Sequence, residues 1–255
     1  MQVHQFAQPW TAESAGEVGV LFLHGFTASP WTVRAWAERT AAAGYDVAVP
    51  RLPGHGTSWR ELEVTDGRDW YAAAERAFLD LRARCPRVFV AGLSLGGALA
   101  LRLAEHYADD VAGLILVNPA LAGPRKLVLV PWLKHLVRTT DSIGSSIRLP
   151  EVTDHSYPRT PLHAVDAMMR LWADIRARLD LVHCPVLLFR SATDSVVPRI
   201  SSELVLKQVS SDELTEVVLT DSDHVAPLDH DAERILAETL EFLARHTAGG
   251  TERPS

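Results

Sequence analysis

The chain has 255 residues, 47% of them hydrophobic and 22% charged, close to ordinary globular usage, which excludes collagen-like, coiled-coil and wholly disordered classes. That length suits one large α/β domain or two small ones, with enough apolar residue for a core that needs neither disulfide nor metal. A formal charge of −7 offers no basic footprint for neutralising phosphates, so no nucleic-acid partner is expected and a small-molecule or neutral partner is favoured.

Met1 to Phe6 carry neither a cationic nor an apolar signal-like region, and no apolar run approaches the ~18 residues of a membrane span, so a cytoplasmic location is expected. Short β-rich apolar runs then alternate with helical spacing. Strands are expected at 18–23, 46–49, 88–91 and 114–117, with helices over 31–43, 69–84 and 97–107 between them. From about 119 to 183 no convincing strand appears, and Pro124, Pro131, Pro150, Pro158 and Pro161 punctuate helical patches, which reads as an inserted cap. The alternation resumes with strands at 186–189 and 216–219 and helices over 199–209 and 232–246. Such alternation implies a mostly parallel central sheet with helices on both faces, whose ligands bind beyond the carboxyl ends of the strands. Residues 1–246 form a single domain in this reading, and 247–255, with Gly249, Gly250 and Pro254, form a disordered tail. Cys85 and Cys184 each precede a proline and read as buried, reduced thiols.

The strongest motif is Gly92-Leu93-Ser94-Leu95-Gly96-Gly97, a G-x-S-x-G between a strand and a helix. Glycines at 92 and 96 suit a turn too tight for side chains, and they thrust Ser94 outward at a helix N-terminus. A serine hydroxyl needs an adjacent base oriented by a third group. Among the histidines, His224 occupies a strand-end loop in the required order of serine, acid, histidine. Asp194, a few residues past a strand end, is the favoured acid. The alternative position one strand earlier holds Asn118, which cannot carry the charge, while Asp221 and Asp223 sit in the loop of His224 itself and suit turns. Two backbone N–H groups should face the oxyanion, those of Leu95 and of Phe26, the latter admitted by Gly25. His24 and His55 read as loop architecture. No H-E-x-x-H or comparable spacing suggests a metal, and no cofactor is implied.

Together, His24-Gly25-Phe26-Thr27, Gly54-His55-Gly56, the Ser94 motif, Asp194 and Ser222-Asp223-His224-Val225 resemble the α/β-hydrolase superfamily, most closely its small bacterial carboxylesterases and monoacylglycerol lipases. The likeness spans about 18–246 and includes Asp69-Trp70 and Arg178-Leu179-Asp180. It implies the α/β-hydrolase fold, a triad of Ser94, Asp194 and His224 with Phe26 and Leu95 as oxyanion hole, and a small acyl ester or monoacylglycerol as substrate. In monoacylglycerol lipases of this type an acidic cap residue contacts the glycerol, and Asp154 matches it.

Independently of that likeness, the stretch from Lys126 to Lys134 is apolar, flanked by cations and contains Trp132, a composition suited either to transient contact with a lipid surface or to packing on the sheet edge. Val165, Met168, Met169, Trp172 and Ile175 fall at helical spacing, as cap core or as the wall of an acyl pocket, so Met169 and Trp172 join the candidate substrate contacts. A serine triad on this fold also serves thioesterases, C–C hydrolases and acyltransferases, and a non-enzymatic ligand-binding protein is a further alternative.

Overall fold

The computed structural model of the chain describes residues 3–14, 16–142 and 146–247. Its strands are β1 (Trp10–Ala12), β2 (Val18–Leu23), β3 (Asp46–Val49), β4 (Arg87–Leu93), β5 (Val111–Val117), β6 (Thr139–Asp141), β7 (Arg159–Pro161), β8 (Val186–Ser191) and β9 (Leu214–Leu219). Seven of them form one sheet in the order β1-β3-β2-β4-β5-β8-β9, parallel throughout except for β1 on β3. The helices are α1 (Trp31–Ala42), α2 (Trp59–Leu62), α3 (Gly67–Arg82), α4 (Leu95–His106), α5 (Val130–Leu133), α6 (Leu162–Arg176), α7 (Ile200–Gln208) and α8 (Ala232–Thr247).

Successive side chains of a strand point to opposite faces, and here both faces are buried. Leu21, Val88, Val90, Leu114 and Leu116 enter one core, which α3, α4, α6 and α7 complete. Val20, Phe22, Phe89, Ile115 and Val117 enter the other, closed by α1 and α8. This two-sided burial is why the central strands read as unbroken apolar runs. On α8, Ile235, Leu236, Thr239, Phe242 and Leu243 are buried, the stripe expected of a helix laid on a sheet. A capping box starts α3: the Asp66 carboxylate accepts the Asp69 N–H while Asp69 accepts the Asp66 N–H. The next residue, Trp70, is fully buried, and truncating it to alanine would cost about 3–5 kcal/mol.

Three features differ from the sequence expectation. An edge strand, β1, precedes the first expected one; at three residues it is too short to show a period. Within 119–183, β6 and β7 pair as an antiparallel ribbon, which Thr-Thr-Asp and Arg-Thr-Pro conceal because neither carries an apolar alternation. Thr247 closes α8 and bonds the Leu243 carbonyl at 2.8 Å, so it is no part of a loose tail, while residues 248–255 lie outside the described residues. Between β5 and β8, the cap segment is tied down at several points. Arg138 grips Glu63 with two nitrogens at 2.6–2.8 Å, while within the cap itself Lys134 meets Asp166 at 2.6 Å. The Tyr157 hydroxyl donates to the Gly54 carbonyl at 2.7 Å and accepts the Thr57 N–H at 2.9 Å. Among the described residues no helix is long and apolar enough to cross a membrane.

Candidate active site

Strand register assembles the site. Leu23 lies opposite Gly92, Leu93 opposite Val117, Val117 opposite Phe189, and Ser191 opposite Leu219. The loops leaving β2, β4, β5, β8 and β9 therefore emerge side by side at the carboxyl edge of the sheet, and these loops carry Phe26, Ser94, Asn118, Asp194 and His224.

The turn at Ser94 needs its glycines. A Cβ on Gly96 would sit 2.0 Å from the Leu23 carbonyl oxygen, and one on Gly92 would sit 2.3 Å from that of Gly96. Ser94 itself has φ 55° and ψ −115°, a conformation non-glycine residues rarely adopt. Neighbouring backbone holds it there: its N–H donates to the Val117 carbonyl at 3.0 Å, and its carbonyl accepts the Ala120 N–H at 3.1 Å. The hydroxyl caps no N–H of α4. Leu95 is the first residue of that helix, with its side chain in the core. Gly25 passes close by, where an added Cβ would lie 3.5 Å from that of Ser94, and brings Phe26 to the same place.

His224 Nδ1 stands 2.8 Å from Asp194 Oδ2, with both side chains nearly buried. Asp194 Oδ1 accepts the N–H groups of Val196 and Val197, each at 2.8 Å, which locks the carboxylate in its own loop. A carboxylate on Nδ1 fixes the neutral tautomer whose Nε2 is free to take a proton. Asp223 joins the β8 and β9 loops: its carboxylate accepts the Ser195 N–H and hydroxyl and the His224 N–H, all at 2.8 Å.

His24 and His55 are fully buried. His24 Nδ1 donates to the Gly25 carbonyl at 2.9 Å and Nε2 accepts the Leu52 N–H at 3.1 Å, so it ties the β2 loop to the β3 loop. Burial, reinforced by the neighbouring His55, pushes its pKa well below the ordinary value. Burial likewise lowers His55 to about 4, and its Nδ1 bonds the Pro53 carbonyl at 2.9 Å. The Phe26 ring packs edge-on against His55 and Trp70, with centroids 6.0 and 5.6 Å apart.

A cavity of about 510 Å³ opens onto Ser94, His224 and Phe26. Its walls come largely from the cap: Leu127, Val130, Leu162, Val165, Met168 and Trp172 give an apolar lining. Asp154 also reaches it, its Oδ1 held by the Ser156 N–H and hydroxyl at 3.2 and 3.1 Å. Met169 corrects the sequence expectation. Met168 lines the cavity, whereas Met169 is one helical step round and packs toward the Val130, Leu162 and Val165 cluster. Sequence reasoning also missed the clamp made by Asp223 and the bonding of Asn118, neither of which has a motif. Among the described residues no group of three His, Cys, Asp or Glu side chains could hold a metal ion.

The chain is 42% identical over 240 residues to the thermostable monoacylglycerol lipase of Bacillus sp. (strain H-257), covering 94% of this chain and 95% of that protein. It is 25% identical over 240 residues to a carboxylesterase of Bacillus subtilis (strain 168), covering 93% and 96%. A solved structure described with the metagenome-derived lipolytic enzymes LipS and LipT superposes with a TM-score of 0.93 at 37% identity, over 96% of this chain and 100% of that one. Residues 20–238 match the family model of the alpha/beta hydrolases, and the chain belongs to that family.

Proposed function

We propose that the protein is a serine esterase that cleaves monoacylglycerols or related single-chain acyl esters. The observation that carries this reading is the cavity of about 510 Å³ that joins an apolar cap lining to Ser94 and His224. Its volume falls within the ~300–1,000 Å³ of small-molecule sites, suited to one acyl chain and a small alcohol rather than to three chains. The likeness to a monoacylglycerol lipase supports the same substrate class.

In the proposed mechanism His224 Nε2 takes the proton of Ser94 as Oγ attacks the acyl carbon, and Asp194 stabilises the resulting imidazolium. The N–H groups of Phe26 and Leu95 hold the oxyanion where the cavity reaches Ser94, and fixed donors of this kind need no reorganisation as the charge develops. His224 then protonates the leaving alcohol. Water, activated by the same base, releases the acid and restores Ser94. Asp154, buried and lining the cavity, supplies a carboxylate acceptor for a hydroxyl of the alcohol.

Substrate of this kind resides in aggregates, and the cap surface is built to meet them. Val128, Leu129, Trp132 and Leu136 are 55–85% exposed. Residues 111–140 contain no Asp or Glu, and Arg125 and Lys126 flank the apolar patch. The patch continues into the cavity wall through Leu127, Leu129 and Leu133, so an acyl chain leaving a lipid surface has an unbroken apolar route inward.

The test is a hydrolysis panel of monoacylglycerol, triacylglycerol, short aryl ester and acyl thioester, with Ser94→Ala as control. Preference for monoesters that is abolished by Ser94→Ala is expected. Efficient triacylglycerol cleavage, or turnover that survives Ser94→Ala, would overturn the reading.

A further inference from the structure

We infer that Asn118 is a positioning residue for the base, linking the backbones that carry all three members of the Ser94, Asp194 and His224 set; this rests on the triad proposed above. Asn118 follows β5 directly, is buried, and has φ 44°, in the left-handed region. Its Nδ2 donates to the backbone carbonyl of His224 at 2.8 Å and to the Ser191 hydroxyl at 2.9 Å. Its Oδ1 accepts the Ser191 N–H at 2.8 Å. Ser191 closes β8, three residues before Asp194, and its hydroxyl donates to the Asp223 carbonyl at 2.8 Å. The residue before Asn118, Val117, holds the N–H of Ser94.

One amide therefore touches the His224 loop and the strand feeding the Asp194 loop, and stands next to the residue that holds Ser94. It does so without a contact to substrate, since Asn118 lies outside the cavity wall. The chemistry of the side chain is specific. A group is needed that donates toward His224 and accepts from Ser191, and a neutral amide does both. A carboxylate could accept from Ser191 but would oppose its lone pairs to the His224 carbonyl, and an apolar side chain could do neither. A polar cavity of about 60 Å³ lies beside it, lined in part by Asn118, Ser191 and Asp194. The left-handed φ also suits asparagine or glycine better than other residues.

Asn118→Gly tolerates the left-handed backbone at this position and removes the amide together with the rest of the side chain. The expected result is a ~10–100-fold loss of kcat, as for a base displaced by about 1 Å, with KM for a soluble aryl ester nearly unchanged and a parallel loss in the rate of fluorophosphonate labelling of Ser94. Asn118→Asp gives a signature that packing alone would not. Its activity relative to Asn118→Gly should rise as pH falls from about 8 to about 6, because a buried carboxyl that protonates regains a donor toward His224. Ser191→Ala, which retains the amide, should lose less kcat in the same direction, and it serves if the glycine variant does not fold. Wild-type kcat and labelling in both Asn118→Gly and Ser191→Ala, or a pH-independent ratio between the aspartate and glycine variants, would overturn the inference. Full activity in Ser94→Ala and His224→Ala would instead overturn the triad reading beneath it.

Discussion

His224 and Asp194 approach to 2.8 Å although they lie on separate loops thirty residues apart, and the second Asp194 oxygen is already taken by two backbone N–H groups. The carboxylate is thus aimed before any substrate arrives. Asp194→Asn would keep the shape but present the wrong hydrogen-bonding pattern to Nδ1. A loss in kcat of up to ~10⁴-fold with little change in KM is expected, by analogy with the same change in other serine triads. Steady-state kinetics on an aryl ester check it; a loss below tenfold would remove Asp194 from the mechanism.

Phe26 is proposed to act through its N–H, while its ring packs on His55 and Trp70. Deleting the N–H in Phe26→Pro should cost ~10²–10³ in kcat, whereas Phe26→Ala should keep substantial chemistry and lose stability instead. Paired kinetics and urea unfolding separate the two, and equal kcat values would sink the assignment.

Burial lowers the pKa of His55 to about 4 from an ordinary 6.5. Between those values the unfolded chain binds a proton that the folded chain refuses, so stability is complete above about pH 7 and falls as pH drops toward 4, by about 3 kcal/mol from His55 alone. His24 adds to the same loss. Urea unfolding at pH 7 and pH 4.5 should show a drop that His55→Asn reduces. No smaller drop in that variant would place the acid sensitivity elsewhere.

Trp132 and Leu136 project from the cap at 78% and 85% exposure. Replacing both with aspartate should weaken vesicle binding and slow hydrolysis of aggregated monoacylglycerol at least tenfold, since burying each large apolar side chain is worth about 1.5–3 kcal/mol. Activity on a dissolved short aryl ester should be unchanged. Equal losses on both substrates would argue that the patch serves the fold rather than lipid contact.

Much of this was legible in the sequence because particular residues admit few alternatives. Gly92 and Gly96 each meet a carbonyl oxygen at the distance where a side chain would begin, so the motif around Ser94 carries its geometry in its letters. The apolar runs at Val20, Phe22 and Ile115 announce strands covered on both faces. Less visible were features that depend on partners distant in sequence. Asn118 reads only as a residue that cannot be an acid, yet it bonds chain 73 and 106 positions away. The β6 and β7 ribbon is polar and three residues wide, stabilised by its place in the cap rather than by its own pattern. For Met168 and Met169, helical spacing identified the face, but the sequence reading chose Met169 where Met168 meets the cavity.

The most direct test of the proposed mechanism is mass spectrometry of enzyme quenched during turnover of a monoacylglycerol. A single acyl adduct on the peptide containing Ser94, formed at the rate of turnover and absent from Ser94→Ala, is the expected result. Continued turnover with no adduct, or an adduct on another residue, would contradict the account.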